Sequence, residues 1–135
     1  MTTLLTPARS GVYRAPAHVE AVRHSADADA LWIDIDLTNV SSKGELLDVF
    51  ARAFGFPATF GRNWDALVDM LQDLSTRPAS AWVLRLTHGS HAARVLGAEW
   101  ATLLEVLAET AAYWKQHGKG FVVFIEDGAE LPPWI

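Results

Sequence analysis

The sequence predicts an α/β fold, a small three-stranded parallel sheet covered by helices. Residues 31–37 alternate apolar and polar side chains, the pattern of a half-buried strand. Residues 121–125 form an uninterrupted apolar run, which is typical of a strand covered on both faces. Segments with helical periodicity separate the predicted strands, and this alternation favours parallel strands joined by right-handed crossovers.

Length and composition exclude several classes of function for this chain. The chain has 135 residues, 50% of them hydrophobic and 20% charged, which indicates one globular domain. It has no cysteine, which excludes a disulfide framework, a thiol nucleophile and a cysteine-based zinc site. The net charge of -5 disfavours binding to nucleic acid or to an anionic membrane, and it suits a basic protein partner. With no secretory signal and no membrane-spanning run visible, we expect a cytoplasmic protein.

The first 30 residues differ in composition from the rest of the chain. We interpret residues 1–30 as an N-terminal extension and residues 31–135 as the α/β domain. Within the extension, residues 11–13 and 19–22 are candidates for one or two short edge strands. Trp32 falls off the apolar stripe of its strand, so we expect it to pack beneath the extension.

The first predicted helix begins after Ser42. Ser42 is a good N-cap, and Glu45 follows it at the spacing of a capping box. Gly55 is a natural C-terminal stop, and Pro57 disfavours helical backbone at the residue before it. The apolar residues of this helix are Leu46, Leu47, Phe50, Ala53 and Phe54.

A second helix is predicted to begin near Asn63, a favourable N-cap residue. Its apolar residues step by three, four and three positions, which places them on one face. They are Trp64, Leu67, Leu71 and Leu74.

The remaining elements follow in the second half of the chain. Residues 81–86 predict a strand, and residues 87–97 read as a polar connection. Apolar residues at helical spacing over 100–114 predict a long helix, which Gly118 ends.

An acidic face is the most distinctive feature of the second predicted helix. Asp65, Asp69 and Asp73 are four residues apart, so a continuous helix would place all three opposite the apolar stripe. No Lys or Arg lies between residues 63 and 76 to offset their mutual repulsion. On the pattern alone, a solvated helix face is the simpler interpretation. The alternative is an acidic ridge that fits a basic cleft on another protein.

A resemblance to a known family supports the second interpretation. Phe56-Pro57, Phe60-Gly61, the run Asn63-Trp64-Asp65-Ala66-Leu67 and Asp69 resemble the motif of the barstar family. These proteins are intracellular inhibitors of the secreted ribonuclease barnase. The resemblance covers roughly residues 31–126, including the order of strands and helices.

The resemblance implies a mechanism in which the second helix and the loop before it plug the active site of a ribonuclease. By position, Asp69 would be the central anion and Asp65 a second acid, while Gly61 and Asn63 would shape the loop. Glu109 on the long helix matches a further acid of the family. The implied partner surface comprises Thr59, Phe60, Gly61, Asn63, Asp65, Val68, Asp69, Asp73 and Glu109.

Four positions depart from the family's pattern. Thr59 and Val68 stand where the family has aromatic residues, and Asp73-Leu74 replaces a Gly-Trp pair. Aromatic residues often anchor interfaces, so these differences affect which partner the protein can bind. We expect a basic secreted-type ribonuclease or another nuclease toxin, bound one-to-one, as in an immunity or antitoxin protein. The resemblance implies an inhibitor and not an enzyme, with no catalytic residue, no cofactor and no metal.

Two other functions remain open. A metal-dependent hydrolase could use Asp36, Asp65 and Asp69 as Mg²⁺ ligands, but no general base or phosphate-binding glycine loop accompanies them. His88 and His91 are interpreted as surface-loop histidines and not as zinc ligands. The second alternative is an adaptor or regulatory module of the same fold that binds a basic partner other than a nuclease.

Overall fold

The computed structural model describes residues 5–25, 29–75, 77–128 and 130–134. Its centre is a four-stranded sheet in which every pair of neighbours is parallel. The prediction of an α/β fold with a parallel sheet is therefore confirmed, with one strand added by the N-terminal extension. The strands are β1 (Gly11–Arg14), β2 (Ala30–Asp36), β3 (Ala81–Thr87) and β4 (Gly120–Ile125), in the spatial order β1-β4-β3-β2.

Five α-helices connect these strands in the described part of the chain, and a short 3-10 turn (Pro7–Arg9) precedes β1. The helices are α1 (Val19–Ser25), α2 (Lys43–Phe54), α3 (Trp64–Leu71), α4 (Gly89–Leu96) and α5 (Ala98–Gln116).

Two of the predicted assignments are corrected. Residues 19–22 form the start of α1 and not a strand, because Val19 and Val22, three residues apart, are both buried on one helical face. Residues 87–97 contain α4 and are not an open connection, because Ala92 and Leu96 are buried one helical turn apart. His91 consequently lies on a helix, whereas His88 immediately precedes it.

The strand order explains why both faces of the sheet are covered. The chain moves from β2 to β3 to β4 in one direction across the sheet, and from β1 to β2 in the opposite direction. Since parallel crossovers are right-handed, opposite directions place the connecting helices on opposite faces. Helix α1 therefore lies across the sheet from α2, α3 and α5.

The hydrophobic core has two parts, one on each face of the sheet. The larger part packs α2, α3, α4 and α5 against the sheet. The smaller part covers the other face and includes Val22, Phe124 and Trp134, with Trp32 packed against it half-buried. The expectation that Trp32 lies beneath the N-terminal extension is thus confirmed.

We predict that Phe124→Ala lowers the free energy of unfolding by about 3–5 kcal/mol, because this fully buried ring contacts Trp32 on β2 and Trp134 in the C-terminal tail. Urea denaturation measures the change. Val95→Ala is the control, since Val95 is exposed and its loss should cost less than about 0.5 kcal/mol. Equal stability of the two variants would show that the second face of the sheet contributes no core.

Candidate partner-binding surface

The segment between α2 and α3 is held to the core by aromatic side chains. Gly55 adopts a left-handed conformation (φ 69°) that ends α2 and turns the chain. The rings of Phe54, Phe56 and Phe60 follow one another with centroids 5.6 and 5.0 Å apart. Phe60 is only 9% exposed, so it supports the loop from beneath and offers little side chain to a partner.

The exposed part of the loop leads directly into the cap of α3. Thr59, Gly61 and Asn63 all face solvent. The Oδ1 atom of Asn63 accepts a 2.8 Å hydrogen bond from the backbone N–H of Ala66, which confirms Asn63 as the N-cap. The Nδ2 atom of Asn63 donates to the carbonyl of Gly61 at 3.4 Å. One side chain therefore fixes both the end of the loop and the start of the helix.

Helix α3 is anchored along one side. Leu67 and Leu71 are fully buried, and Leu74, just beyond the helix, is 3% exposed. Trp64 is half-buried, and its indole Nε1 donates a 3.1 Å hydrogen bond to Oε2 of Glu99 on α5. The prediction that Trp64 belongs to the core stripe is therefore correct only in part.

Two of the three predicted acids share the exposed face of α3. Asp65 and Asp69 are one turn apart and exposed, and half-buried Val68 lies beside them. Asp65 is in the first turn, where the helix dipole favours a negative charge. Within the part of the chain that the structure describes, neither carboxylate forms an ion pair.

Asp73 does not lie on this helix, contrary to the prediction of a continuous acidic face. Helix α3 ends at Leu71, and Leu74 takes a left-handed backbone conformation (φ 50°) that turns the chain away. The carboxylate of Asp73 is exposed and accepts a 2.9 Å hydrogen bond from Oγ of Ser75. The buried Leu74 made the apolar stripe look longer than the helix.

Glu109 is exposed on α5, which lies next to α3. Side-chain hydrogen bonds join the two helices at both ends of α3. Glu99 accepts from Trp64, and Nε1 of Trp114 donates to the backbone carbonyl of Leu71 at 2.8 Å. These bonds hold α3 and the helix that carries Glu109 in a fixed relation.

The ion pair that Arg62 of this loop forms with α2 could not be predicted from the sequence. Arg62 is the only Lys or Arg between residues 53 and 76. Its guanidinium forms no ion pair with Asp65 or Asp69 and instead pairs with Asp48 on α2, Nε to Oδ1 at 2.8 Å and Nη2 to Oδ2 at 3.1 Å. The pairing depends on how α2 and the loop are placed in space, which side-chain spacing along the chain does not reveal.

The third acid of the hydrolase alternative has other partners. Asp36 is the last residue of β2 and accepts hydrogen bonds from Thr38 and from Thr87, with His88 Nδ1 at 3.2 Å from its Oδ1. These contacts lower the pKa of Asp36 to about 2, and the hydrogen bonds from Thr38 contribute most to the change. Among the described residues, no group of three or more His, Asp or Glu side chains could hold a metal ion. Within the described residues, Asp36 therefore does not join Asp65 and Asp69 in such a group.

Comparison with known proteins places the chain in a family. A family model described as Barstar (barnase inhibitor) matches residues 30–126. The chain belongs to the barstar family. The match runs from the first residue of β2 to the residue after β4, so it includes the loop, α3 and Glu109, while β1 and α1 of this barstar-family protein lie outside it.

One further comparison and one property of the helices complete this description. No individually curated protein matches the chain significantly. None of the helices in the described residues combines the length and the apolar character needed to cross a membrane.

We predict that Asn63→Ala lowers the free energy of unfolding by about 1 kcal/mol, because the first turn of α3 loses its side-chain acceptor. Thermal denaturation measures the loss. Asn63→Asp is the matched control, since a carboxylate can accept the same hydrogen bond and also interacts favourably with the helix dipole. If Asn63→Ala and Asn63→Asp had the same free energy of unfolding, the side-chain cap would not explain the asparagine at this position.

We also predict a pH-dependent role for Asp36. Because its pKa is lower in the folded protein than the ordinary 3.8, its charged form stabilises the fold above about pH 4. This contribution is lost as the pH falls toward about 2, where the folded carboxylate also takes up a proton.

Asp36→Asn should therefore destabilise the protein at pH 7, and the difference from wild type should shrink between about pH 4 and pH 2. Urea denaturation at a series of pH values checks this, with exposed Asp29→Asn as control. A difference that stayed constant over that range would contradict the assignment.

Proposed function

We propose that this protein is a cytoplasmic inhibitor of a ribonuclease and that it acts by covering the basic active site of its partner. The covering surface consists of α3 and residues 59–63, with Glu109 as an additional acid. The observation that carries the proposal is the pair Asp65 and Asp69, exposed on an anchored helix and in no ion pair with any of the described residues. Membership of the barstar family supports the same surface.

The chemistry of the expected partner explains why carboxylates suit this task. A ribonuclease must gather cationic side chains to stabilise the charge that develops on the phosphate in its transition state. Without RNA, these cations form a positive cleft that attracts an acidic ligand. Asp69, at the middle of the exposed face, would take the place of the phosphate, and Asp65 would lie beside it.

The anchoring of α3 contributes to tight binding. Burial of Leu67 and Leu71, the Asn63 cap and the Trp114 bond to Leu71 all fix the helix before any partner arrives. Side chains that are already in place lose less conformational freedom on binding, so more of the contact energy remains as affinity. The net charge of -5 should also speed association with a basic protein, less so at high salt.

The identity of the partner is a more specific proposal than the inhibitory function. Thr59 is exposed and Val68 half-buried at positions where the family's pattern has aromatic residues. We therefore propose that the partner is a secreted-type ribonuclease like barnase, or a nuclease toxin, bound one-to-one without those aromatic contacts. The same observation keeps a second candidate open, an adaptor that presents this surface to a basic protein other than a nuclease.

The decisive experiment titrates barnase with this protein and follows RNA cleavage. The proposal predicts that cleavage is lost at a one-to-one ratio. Asp69→Ala should weaken binding about a hundredfold or more, because it leaves buried cations of the partner unpaired. Asp65→Ala should also weaken binding, and by less.

Asp34→Ala is the charge-matched control. Asp34 pairs with Arg23 of α1 on the opposite side of the sheet, so its loss changes the net charge equally without touching α3. If Asp69→Ala and Asp65→Ala bound as tightly as wild type, the assigned surface would be wrong. Tight binding of barnase without inhibition would contradict the proposed covering of the active site, and no binding of barnase at all would favour the adaptor.

A further inference from the structure

We propose that Gly44, Asp48 and Arg62 form a clamp that orders the loop before α3 and keeps the positive charge of that loop away from the acidic face. We call these three residues the α2 clamp. Its consequence for binding rests on the proposed function, whereas its effect on the loop is a property of the free protein.

The geometry of the ion pair is the first observation. Both carboxylate oxygens of Asp48 accept from the Arg62 guanidinium, at 2.8 and 3.1 Å. This two-point contact fixes the orientation of the guanidinium as well as its distance. The side chains remain 56% and 42% exposed, and pairs at such exposure add little to global stability. We therefore expect the Asp48–Arg62 ion pair to act on the position of the loop and to change the free energy of unfolding little.

Gly44 supplies the second, independent observation. It lies one helical turn before Asp48, so the two residues share a face of α2. A Cβ atom at position 44 would lie 2.9 Å from Nη2 of Arg62, closer than side chains normally approach. Glycine is a poor helix former, so its presence in the first turn of α2 is explained by the room it leaves for the guanidinium.

The backbone of Arg62 is the third observation. Its φ of 52° lies in the left-handed region, which residues with a Cβ rarely adopt. The bond to Asp48 ties the side chain to α2 while the backbone makes this turn, one residue before the cap of α3. Released from Asp48, the guanidinium would be free to approach Asp65, three residues along the chain, and neutralise it.

Gly44→Ala tests the clamp without lowering the stability of the fold. The added methyl group displaces the flexible end of Arg62, while alanine is the better helix former. We expect a melting temperature equal to or above that of wild type. The amide of Phe60, which donates to the carbonyl of Pro57 within the loop, should nevertheless exchange roughly threefold to tenfold faster in the free protein. Asp48→Asn should show the same faster exchange.

Binding to barnase, as the probe, measures the functional consequence. Gly44→Ala and Arg62→Gln should both raise the dissociation rate about threefold to tenfold, because the loop must then become ordered on binding. Arg52→Gln is the charge-matched control, since Arg52 is an exposed cation of α2, and it should leave the dissociation rate unchanged. In the double variant Gly44→Ala/Arg62→Gln the two effects should not add, because both act through one contact.

The outcomes separate the two proposals. Unchanged exchange of the Phe60 amide in Gly44→Ala and Asp48→Asn would overturn the clamp, as would equal effects of Arg62→Gln and Arg52→Gln on dissociation. Faster exchange together with failure of wild type to bind barnase would support the clamp in the free protein and count against the proposed function.

Discussion

Burial of Leu67 and Leu71 is the interaction on which the rest of the surface depends. Because both side chains are completely enclosed, α3 has one permitted rotation about its axis, and Asp65 and Asp69 must face outward. The Asn63 cap and the hydrogen bonds to α5 then fix both ends of the helix. A short helix of this kind would be marginal in isolation, so its order comes from packing.

The unbalanced charge on this fixed helix has a cost in the free protein. Asp65 and Asp69, one turn apart, repel each other by a few tenths of a kcal/mol. The nearest cation along the chain, Arg62, is bound to Asp48 and does not relieve that repulsion. The fold therefore maintains a local excess of negative charge, the property that a surface needs if it is to compete with an RNA phosphate for a cationic cleft.

Local patterns predicted most of the architecture, and tertiary contacts account for the errors. The alternation in β2, the apolar run of β4, the Ser42 and Asn63 caps and the stop at Gly55 could all be recognised, since each depends on neighbouring residues. The end of α3 could not, because buried Leu74 continues the apolar spacing after the helix has stopped. The Arg62–Asp48 pair spans a loop, and side-chain spacing along the chain gives no sign of it.

We propose that α3 and residues 59–63 form the surface that meets a ribonuclease. An NMR titration of the isotope-labelled protein with unlabelled barnase tests it most directly, because each backbone amide reports its own surroundings. The largest shift changes should fall within residues 59–69 and reach a plateau at one equivalent of barnase. Changes centred on α1 or the β1 edge of the sheet, or no changes at all, would contradict it.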